Sequence, residues 1–425
     1  MSHIVTNKPL TISYSLFNDW VDIEHFDYNN FDPKGNFICT QTKTKPNIIA
    51  AVFEDWWDEF YTKHKSCIDN HRPNANDEVH KMIDCYNKDL GFDLYYCENC
   101  KKSFTCAHTC KSRFCSSCGI KYQHQICESI LQTCHKVNHR QIVFTIPREL
   151  RKLFFDDFYA LNILYEAVCD TLYSITNGKV LKTRNNRCKP RKLLKRIPGF
   201  FCFLHTFGRT LNWNPHIHVI IAETILDGNN FKNFNYFNYD ALSRRFQINL
   251  LYKLEKYFGK KNFSNLKNLL FLNYKKGFYV YAEPKKFKSL EAGIKYVTRY
   301  CARPVIGLKR ILNYNGYTVT ICYNDHKDES YHEVTISVFK FMTLLTMHIY
   351  PKNFKVIRAY GFYNKKHKAS SKVNHLISKH LHNVRKNSLK FANLIKSSFN
   401  KNPFECPSCG KLMAFQLRVL KKGYG

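Results

Sequence analysis

The chain has 425 residues and a formal net charge of +33, because 66 lysines and arginines face only 33 acidic residues. Its length predicts about two to four structural units, and so large a basic excess indicates a polyanionic partner such as nucleic acid. No apolar run approaches the ~18 residues of a membrane span, and Met1–Trp20 lack the pattern of a secretory signal. We therefore exclude membrane and secreted classes and expect a cytoplasmic, nucleoid-associated protein whose cysteines are metal ligands or buried thiols.

The predicted elements alternate between helices and strands. An N-terminal region, 1–75, contains an acidic aromatic patch that predicts a helix, and a cysteine-rich region, 76–135, follows it. The alternation predicts an α+β domain at 136–350, and the basic segment 351–425 is predicted to be mostly helical. Within the α+β domain the predicted strands are 141–146, 200–206, 218–225, 278–282 and 317–323, and the predicted helices are 154–172, 241–258 and 290–300.

Two Cys-x2-Cys pairs mark the cysteine-rich region. Cys97 and Cys100 form the first pair, Cys115 and Cys118 form the second, and fourteen residues lie between the two pairs. Each pair can supply two thiolates from a tight turn, and two pairs at this separation are typical of a tetrahedral zinc site. The sequence therefore predicts a zinc-binding module at 76–135 with these four ligands.

Further cysteines leave the ligand set open. Cys85, Cys110 or His108 could replace one of the four ligands or form part of a second site. Near the C-terminus, Cys406 and Cys409 make another Cys-x2-Cys pair. That pair is half a zinc site, and the sequence indicates no partner for it.

A His-x-His pair predicts a different metal site. His216 and His218 lie in a strand-like run, where residues two apart point to the same face, so both imidazoles can bind one ion. His205, in the preceding predicted strand, could complete a three-histidine face with open coordination positions. His380 and His382 have the same spacing in a basic, helical context, where positions i and i+2 diverge. We interpret that second pair as part of a solvated or phosphate-facing helix.

Two tyrosines supply a candidate nucleophile. Tyr296 and Tyr300 are four residues apart in a predicted helix and therefore share a face. Beside a metal site, such tyrosines indicate phosphoryl transfer to a tyrosine, and so DNA strand cleavage and joining. Taken alone, the spacing favours an aromatic core stripe. A phenol has a pKa of ~10, so a cation must help to expose the phenolate, and Arg299 is the candidate, with phosphate contact as its simpler role.

One basic run is the candidate DNA-binding segment. Between Lys179 and Arg196 there are nine basic residues and no acidic one. A solvated face ordinarily explains a single charge run, whereas the excess over the whole chain favours contact with phosphates. The predicted DNA-binding residues are Lys179, Lys182, Arg184, Arg187, Arg191, Lys192, Lys195 and Arg196.

Several motifs follow one another in a familiar order. The run 142–147 comes first, His205 leading to His216 and His218 comes second, and the segment 296–300 comes third. The cysteines precede them, and Cys-Pro-Ser-Cys-Gly at 406–410 closes the chain. In order and spacing these motifs resemble the insertion-sequence-91 family of rolling-circle transposases, which are HUH endonucleases. The resemblance covers about residues 80–365 and the terminal motif.

The resemblance implies a ferredoxin-like antiparallel sheet with the histidine pair on a central strand, preceded by a zinc-binding module that recognises DNA. It also implies a catalytic Mg²⁺ or Mn²⁺ ion and a covalent 5′-phosphotyrosine intermediate. The implied partners are single-stranded DNA at hairpin-containing element ends and the host replication machinery. Three imidazoles would by themselves indicate zinc or another transition ion, because magnesium prefers oxygen ligands. The identity of the catalytic ion stays open, with Mn²⁺ or Mg²⁺ favoured.

We expect a DNA transposase in which an ion on His205, His216 and His218 polarises the scissile phosphate while a tyrosine attacks it. A plasmid replication initiator or a relaxase would apply the same chemistry to another substrate. A metal-dependent hydrolase would use a metal-bound water and need no tyrosine. A zinc-containing DNA-binding protein without catalysis would need neither the tyrosines nor His205.

Overall fold

A computed structural model describes the chain at 48–87, 90–134, 137–177, 195–282, 290–302, 305–324, 329–371, 383 and 386–420, with the side chains of 290 and 299–302 left undescribed. Within these ranges, none of the helices combines the length and the apolar character that crossing a bilayer requires.

The helices begin and end where the sequence supplies caps or breaks. The Asn238 side chain accepts a hydrogen bond from the Ala241 N–H at the start of one helix, which ends at Gly259 with φ of 86°. The Ser337 hydroxyl accepts from the Lys340 N–H at the start of another. The helices are α1 (Ile48–His71), α2 (Ala75–Ile83), α3 (Ser116–Leu131), α4 (Arg148–Asp156), α5 (Leu161–Thr176), α6 (Tyr239–Phe258), α7 (Lys260–Asn273), α8 (Leu290–Ala302), α9 (Val338–Thr346) and α10 (Phe391–Phe399).

The strands form three antiparallel sheets in the described part of the chain. A central sheet has the order β11-β4-β5-β3-β7, with β6 paired to β5, and two smaller sheets have the orders β12-β1-β2 and β10-β9-β8. The strands are β1 (Gly91–Cys97), β2 (Lys102–Ala107), β3 (His139–Thr145), β4 (Arg196–Phe207), β5 (Trp213–Asp227), β6 (Asn230–Asn233), β7 (Val280–Tyr281), β8 (Ile311–Tyr314), β9 (Thr318–Asn324), β10 (Tyr331–Ser337), β11 (Ile357–Gly361) and β12 (Ala414–Leu420).

The central sheet follows a β-α-β-β-α-β order along the chain. Helices α4 and α5 connect β3 to β4, a hairpin joins β4 to β5, and α6 and α7 lead to β7. Neighbouring strands in the order β4-β5-β3-β7 are all antiparallel. The predicted α+β class with an antiparallel sheet is therefore confirmed.

The two faces of the central sheet pack against different helices, because side chains alternate along each strand. Phe200, Leu204 and Ile217 point into the main core, which also contains residues of α1, α5 and α6. Phe203 and Ile220 point into a second core that includes residues of α3 and α8. His205 is two residues from Phe203 on β4, and His218 and His216 are two and four residues from Ile220 on β5. The predicted metal-binding histidines therefore point to this second face.

Strand β11 joins the edge of the sheet through a tight glycine contact. Gly361 pairs with Gly199 of β4 and has φ of 61°. A Cβ atom at position 361 would lie 1.5 Å from the carbonyl oxygen of Pro198. The pairing of β11 with β4 therefore requires glycine here.

Three sequence predictions are corrected. The predicted helix 154–172 is divided by Asp157, whose extended backbone ends α4 and whose side chain caps a short 3-10 turn before α5. The dipeptide Asn214-Pro215 is of a type that favours turns, so its sequence predicts a turn just before the histidines. It lies instead inside β5, at a bulge opposite Thr206, where proline is tolerated. The segment 351–425 is not mostly helical where it is described, since β11 and β12 each pair with a strand of another region.

Candidate active site and cysteine clusters

The three predicted histidines come together on the central sheet. His205 lies on β4 directly opposite His216 of β5, and Phe203 lies opposite His218. Residues that pair directly, and residues two apart on one strand, point to the same face. All three imidazoles therefore project from the face that packs against α8 and α3, at the end of the second core.

The imidazoles are close enough to bind one ion. The ring centroids of His205 and His218 are 4.1 Å apart. The ring centroid of His216 lies 5.2 Å from that of His205 and 5.0 Å from that of His218. One ring nitrogen from each histidine lies within 4.8 Å of the others. His205 is buried while the other two are half-buried, so this donor set can hold an ion from one side and leave positions open on the other.

Hydrogen bonds orient two of the rings. The Nδ1–H of His216 donates to the carbonyl oxygen of Asn214 at 2.7 Å, which leaves Nε2 available to an ion. His218 Nδ1 lies 2.9 Å from the Gln141 side-chain amide nitrogen, and Gln141 Oε1 is buried with no partner among the described residues. Rotating this amide by 180° places Oε1 on Nδ1, so that His218 donates from Nδ1 and keeps Nε2 for the ion.

Burial keeps two of the three histidines, His205 and His218, neutral. Burial lowers the pKa of His205 well below its usual 6.5, as do the neighbouring His218 and His216, while a hydrogen bond with the backbone of Val297 acts in the opposite direction. Burial and the proximity of His216 also lower the pKa of His218. Because an ion binds neutral imidazole, these shifts keep the site ready for metal at neutral pH.

Helix α8 covers this part of the sheet and carries the predicted tyrosines. Ile294 and Val297 are buried in the second core, and Tyr296 is half-buried against it. The hydrogen bond between His205 and the Val297 backbone joins the helix to the histidine cluster. The predicted helix is thus confirmed, and it places Tyr296 next to a residue that contacts the cluster. The side chains of Arg299 and Tyr300 lie outside the described residues.

A cleft lies beside the histidine-bearing end of β4. Its volume is about 340 Å³, and its walls include Thr206 and Phe207 of β4 and basic side chains at Lys81, Lys111 and Arg113. Two acidic residues of α2 also line it, and one of them, Glu78, is 2.8 Å from Lys81. The cleft therefore lies between the cysteine-rich region and the central sheet, and its walls carry more basic than acidic side chains.

The predicted zinc ligands do not form one site. Cys115 and Cys118 lie with Cys85 and Cys110, and their sulfur atoms are within 4.8 Å of one another. The Sγ atoms of Cys85 and Cys110 are 3.8 Å and 3.6 Å from that of Cys118. Hydrogen bonds from the neighbouring thiols, first that of Cys110, lower the pKa of Cys118 below its usual range. This set, the first cysteine cluster, fits the tetrahedral thiolate site of a structural zinc ion.

The other two predicted ligands belong to a second cysteine cluster. Cys97 and Cys100 lie with Cys406 and Cys409, again with all four sulfur atoms within 4.8 Å. The prediction of a single site from Cys97, Cys100, Cys115 and Cys118 is therefore wrong in its grouping. The hairpin of β1 and β2 carries the first pair away from α3, and β12 brings the C-terminal pair to it.

Most of the predicted DNA-binding run lies outside the described residues: Lys179, Lys182, Arg184, Arg187, Arg191 and Lys192. Lys195 and Arg196 are described and exposed at the start of β4. Arg196 is 3.6 Å from Asp227 of the neighbouring strand. His380 and His382 also lie outside the described residues, so our interpretation of that pair remains a prediction.

Sequence reasoning missed two features of these sites. The sequence placed Gln141 in a predicted strand but gave it no role at the metal site. In the structure β3 pairs with β5, and this pairing brings the Gln141 amide to His218. The partner of Cys406 and Cys409 was not found, because it lies more than 300 residues away along the chain. The alternation of side chains on β3 could have indicated the first, whereas no local signal indicates the second.

Two protein-family models match the chain. A model described as "Putative transposase" matches residues 199–371, which contain the three histidines and α8. A model described as "Transposase zinc-binding domain" matches residues 52–146, which contain the whole first cysteine cluster.

Curated proteins give the same indication. The chain is 27% identical over 373 residues to "Transposase for insertion sequence element IS801" of Pseudomonas savastanoi pv. phaseolicola, covering 80% of this chain and 83% of the relative. It is 25% identical over 333 residues to "Putative transposase y4qJ" of Sinorhizobium fredii (strain NBRC 101917 / NGR234), covering 74% and 79% respectively. No solved structure gives a significant match.

Proposed function

Because the chain belongs to the insertion-sequence-91 family of transposases, with an N-terminal zinc-binding domain, we propose that it is a DNA transposase that cleaves and rejoins single-stranded DNA through a 5′-phosphotyrosine. One observation carries this proposal: His205, His216 and His218 converge beneath the helix that bears Tyr296 and Tyr300. Neither a hydrolase nor a DNA-binding protein without catalysis needs that combination of a three-imidazole site and two tyrosines four residues apart on one helix.

The histidines are the proposed ligands of the catalytic ion. The donor set fits a divalent ion, because His216 offers Nε2 while its Nδ1–H is occupied by a backbone carbonyl. When bound, a divalent ion such as Mg²⁺ or Mn²⁺ supplies Lewis-acid polarisation of the scissile phosphate. The half-buried side of the cluster is where the phosphate oxygen would approach.

The tyrosines are the proposed nucleophiles. The phenolic oxygen of Tyr296 or Tyr300 attacks phosphorus, and the bond from phosphorus to the 3′ oxygen breaks, which leaves the 5′ phosphate on the tyrosine and a free 3′-OH. The phenol gives up its proton to solvent as the new bond forms, and the departing 3′ oxygen takes up a proton from solvent to become the 3′-OH. Arg299, on the same helix, is proposed to stabilise the phenolate or to contact the phosphate. Two nucleophiles allow two successive strand transfers without release of the DNA.

The sheet supports the ferredoxin-like fold expected for this chemistry. Its β-α-β-β-α-β order and its antiparallel pairing are features of that fold, and the histidine pair lies on the inner strand β5, as the resemblance implies. We propose that the DNA strand enters along the basic cleft between α2 and the end of β4. Further contacts are proposed for the basic run from Lys179 to Arg196.

The zinc-binding domain is proposed to recognise the element's ends. The first cysteine cluster lies wholly within the segment matched by the zinc-binding model, and its donor set fits zinc. The match to a transposase zinc-binding domain also favours a transposase over a plasmid replication initiator or a relaxase, which would differ in substrate.

The test is incubation of the purified chain with end-labelled single-stranded oligonucleotides from the sequences flanking its gene, in Mn²⁺, followed by a denaturing gel. We expect a fragment linked covalently to protein through its 5′ phosphate. The Tyr296→Phe/Tyr300→Phe double variant should lose the adduct but keep DNA binding, because phenylalanine preserves the packing and removes only the oxygen. Tyr236→Phe, a change at a residue 76% exposed, is the matched control.

The histidine variants test the metal site in the same assay. His216→Ala and His218→Ala should abolish cleavage, His205→Ala should severely weaken it, and the paired change His380→Ala/His382→Ala should leave it intact. An undiminished adduct in the double tyrosine variant would remove the nucleophile assignment. Free product without any adduct in the unaltered protein would instead indicate a hydrolase.

A further inference from the structure

The second cysteine cluster joins the C-terminal part of the described chain to the β1–β2 hairpin. Cys97 and Cys100 lie within the segment matched by the zinc-binding model, 52–146, whereas Cys406 and Cys409 lie beyond both matched segments. We propose that these four cysteines bind a second structural zinc ion, which fastens the C-terminal strand to the N-terminal module. This proposal is independent of the DNA chemistry proposed above.

The distances between sulfur atoms fit a shared ion. The Sγ atoms of Cys97 and Cys409 are 3.6 Å apart, and those of Cys100 and Cys406 are 3.9 Å apart. Four thiolates at ~2.3 Å from a tetrahedral zinc ion lie about 3.8 Å from one another. A disulfide would require ~2.05 Å. The geometry therefore matches four ligands around one ion and not two disulfides.

Both turns have the backbone of metal-binding Cys-x2-Cys turns. The residue directly after the second cysteine is left-handed in each: Lys101 has φ of 52° and Gly410 has φ of 71°. In the C-terminal turn, the Gly410 N–H donates to the Cys406 carbonyl and the Cys406 N–H donates to the Lys411 carbonyl, both at 2.8 Å. These bonds fold the turn so that both of its thiols face Cys97 and Cys100. A lysine at positive φ costs free energy that a bound ion would offset.

The apolar core beside the β12-β1-β2 sheet is too small to hold β12 by packing alone. The buried residues of its core are Tyr95, Met413 and two of the cysteines themselves, Cys97 and Cys406. On β12 the side chains of Phe415, Leu417 and Val419 are exposed. A small unit with so little buried apolar surface ordinarily depends on a metal or a disulfide.

One ion pair supports the same attachment. Arg418 of β12 donates two hydrogen bonds to the carboxylate of Asp93 on β1, at 2.7 Å and 2.9 Å, and His108 lies 3.1 Å from that carboxylate. Arg418 is largely exposed, so the pair helps to set the register but contributes little stability. Apart from the backbone pairing of β12 with β1, the cysteine cluster is therefore the main attachment of the C-terminal segment to this module.

The first experiment counts zinc in the full-length chain by elemental analysis after exhaustive dialysis. We expect two zinc ions per chain, one in the Cys406→Ser/Cys409→Ser variant and one in the Cys110→Ser/Cys115→Ser variant, which serves as the matched control. Limited proteolysis should release the C-terminal segment from the first variant and not from the second. A full count of zinc in the Cys406→Ser/Cys409→Ser variant would overturn the proposal.

The second experiment needs no variant and so does not depend on folding of the altered chains. The native protein is treated with N-ethylmaleimide before and after zinc is removed by a strong chelator, and each cysteine is read by mass spectrometry. Cys100 and Cys409, both only half-buried, should be protected in the zinc-loaded protein and should react together once zinc is removed. Alkylation of Cys409 at equal rates with and without zinc would contradict a site at this position.

Discussion

At the scale of single residues, the Gln141 side chain contacts the histidine cluster directly without belonging to it. Its amide lies 2.9 Å from Nδ1 of His218, and its position on β3 is fixed by pairing with β5. A hydrogen bond from Nδ1–H to the Gln141 oxygen would hold the ring and keep Nε2 unprotonated for the ion. Gln141 is thus a positioning residue, which acts on the ion through His218.

We predict that Gln141→Leu weakens Mn²⁺ binding about 10- to 100-fold, the usual effect of removing such an outer partner. Isothermal titration of the chain with Mn²⁺ measures this directly. Gln247→Leu is the matched control, because Gln247 is also buried but donates to the carbonyls of Leu270 and Tyr274 on the other side of the sheet. Equal Mn²⁺ affinities in the two variants would show that Gln141 only fills space.

His348 makes the stability of the protein depend on pH. It is buried, its Nε2–H donates to the Leu211 carbonyl at 2.7 Å, and its Nδ1 is 3.0 Å from the Thr206 hydroxyl. Its pKa is lowered to about 3, mainly by burial and to a smaller extent by the nearby Arg72, while the bond to Leu211 acts in the opposite direction. The folded protein therefore holds this imidazole in its neutral form.

The sign of the effect follows from proton binding. The unfolded chain protonates His348 near its usual pKa of 6.5, whereas the folded chain does so only near 3. The contribution of His348 to the free energy of unfolding is therefore fully present above pH 6.5. It is lost as the pH decreases toward 3, by at most ~1.4 kcal/mol per pH unit. His205 and His218 act in the same direction, because their pKa values are also lowered.

We predict that the His348→Gln variant loses stability less steeply than the unaltered protein as the pH falls. Thermal unfolding of both proteins at pH 7, 6 and 5 measures the difference. Parallel pH profiles for the two proteins would contradict this.

Residue-level predictions succeeded where a local pattern determines geometry. The His-x-His spacing on a strand places His216 and His218 on one face because alternation is a property of the strand itself. The prediction of which cysteines share one ion was wrong, because Cys-x2-Cys spacing determines only which two cysteines form a pair. Which pairs share an ion depends on how β1, α3 and β12 pack, and no single segment contains that information.

At the level of elements, the edge strand β11 depends on one glycine. Gly361 has φ of 61°, and a Cβ atom there would lie 1.5 Å from the carbonyl oxygen of Pro198. We predict that Gly361→Ala lowers the free energy of unfolding by about 2–5 kcal/mol, since the strand must separate from β4 to relieve the overlap. Chemical denaturation measures the change.

Gly307→Ala is the control for that substitution. Gly307 has an ordinary φ of −81°, and an added Cβ atom meets nothing within 4 Å. The change should stay within about 0.5 kcal/mol. A similarly small effect at Gly361 would show that β11 adapts to a side chain at this position.

Element types were predictable where periodicity was strong. Helix α8 and the strands carrying the histidines follow from their sequences, since a run of apolar residues on one face must be buried. Strand β11 was not predicted, because its five residues are only half-buried apart from Gly361. It becomes a strand through hydrogen bonds with β4, a partner more than 150 residues away. The bulge at Asn214-Pro215 likewise depends on pairing, since proline is tolerated there only because β5 is irregular opposite Thr206.

Over the whole molecule, the N-terminal and C-terminal segments both pack onto parts that are distant in sequence. Helix α1 contributes Phe53, Trp57 and Phe60 to the main core, where Phe60 lies against Phe339 of α9. The C-terminal strand β12 pairs with β1. Helix α1 and strand β12 therefore pack across the boundaries predicted at residues 75, 135 and 350, and that division of the chain stays a prediction.

The net charge of +33 leads to a prediction about DNA binding by the whole chain. Each lysine or arginine that contacts a phosphate releases a counterion, so affinity for single-stranded DNA should fall steeply with salt. We predict that replacing Lys179, Lys182, Arg184 and Arg187 by glutamine reduces the slope of log K against log salt concentration. If all four contact phosphates, the reduction is about 3, since each contact to single-stranded DNA contributes ~0.7. Fluorescence anisotropy with a labelled oligonucleotide over a range of KCl concentrations provides the measurement.

The control removes the same charge from another surface. Lys260, Lys261, Lys275 and Lys276 are exposed on and after α7, which belongs to the layer on the sheet face opposite the histidines. Their replacement by glutamine lowers the net charge equally, so it should reduce affinity slightly at low salt through the weaker overall field, while the slope stays unchanged. Equal slopes in the two variants would mean that the run from Lys179 to Arg196 is only a solvated surface. Since net charge is held the same, a slope reduced in the first variant alone would locate the phosphate contacts in that run.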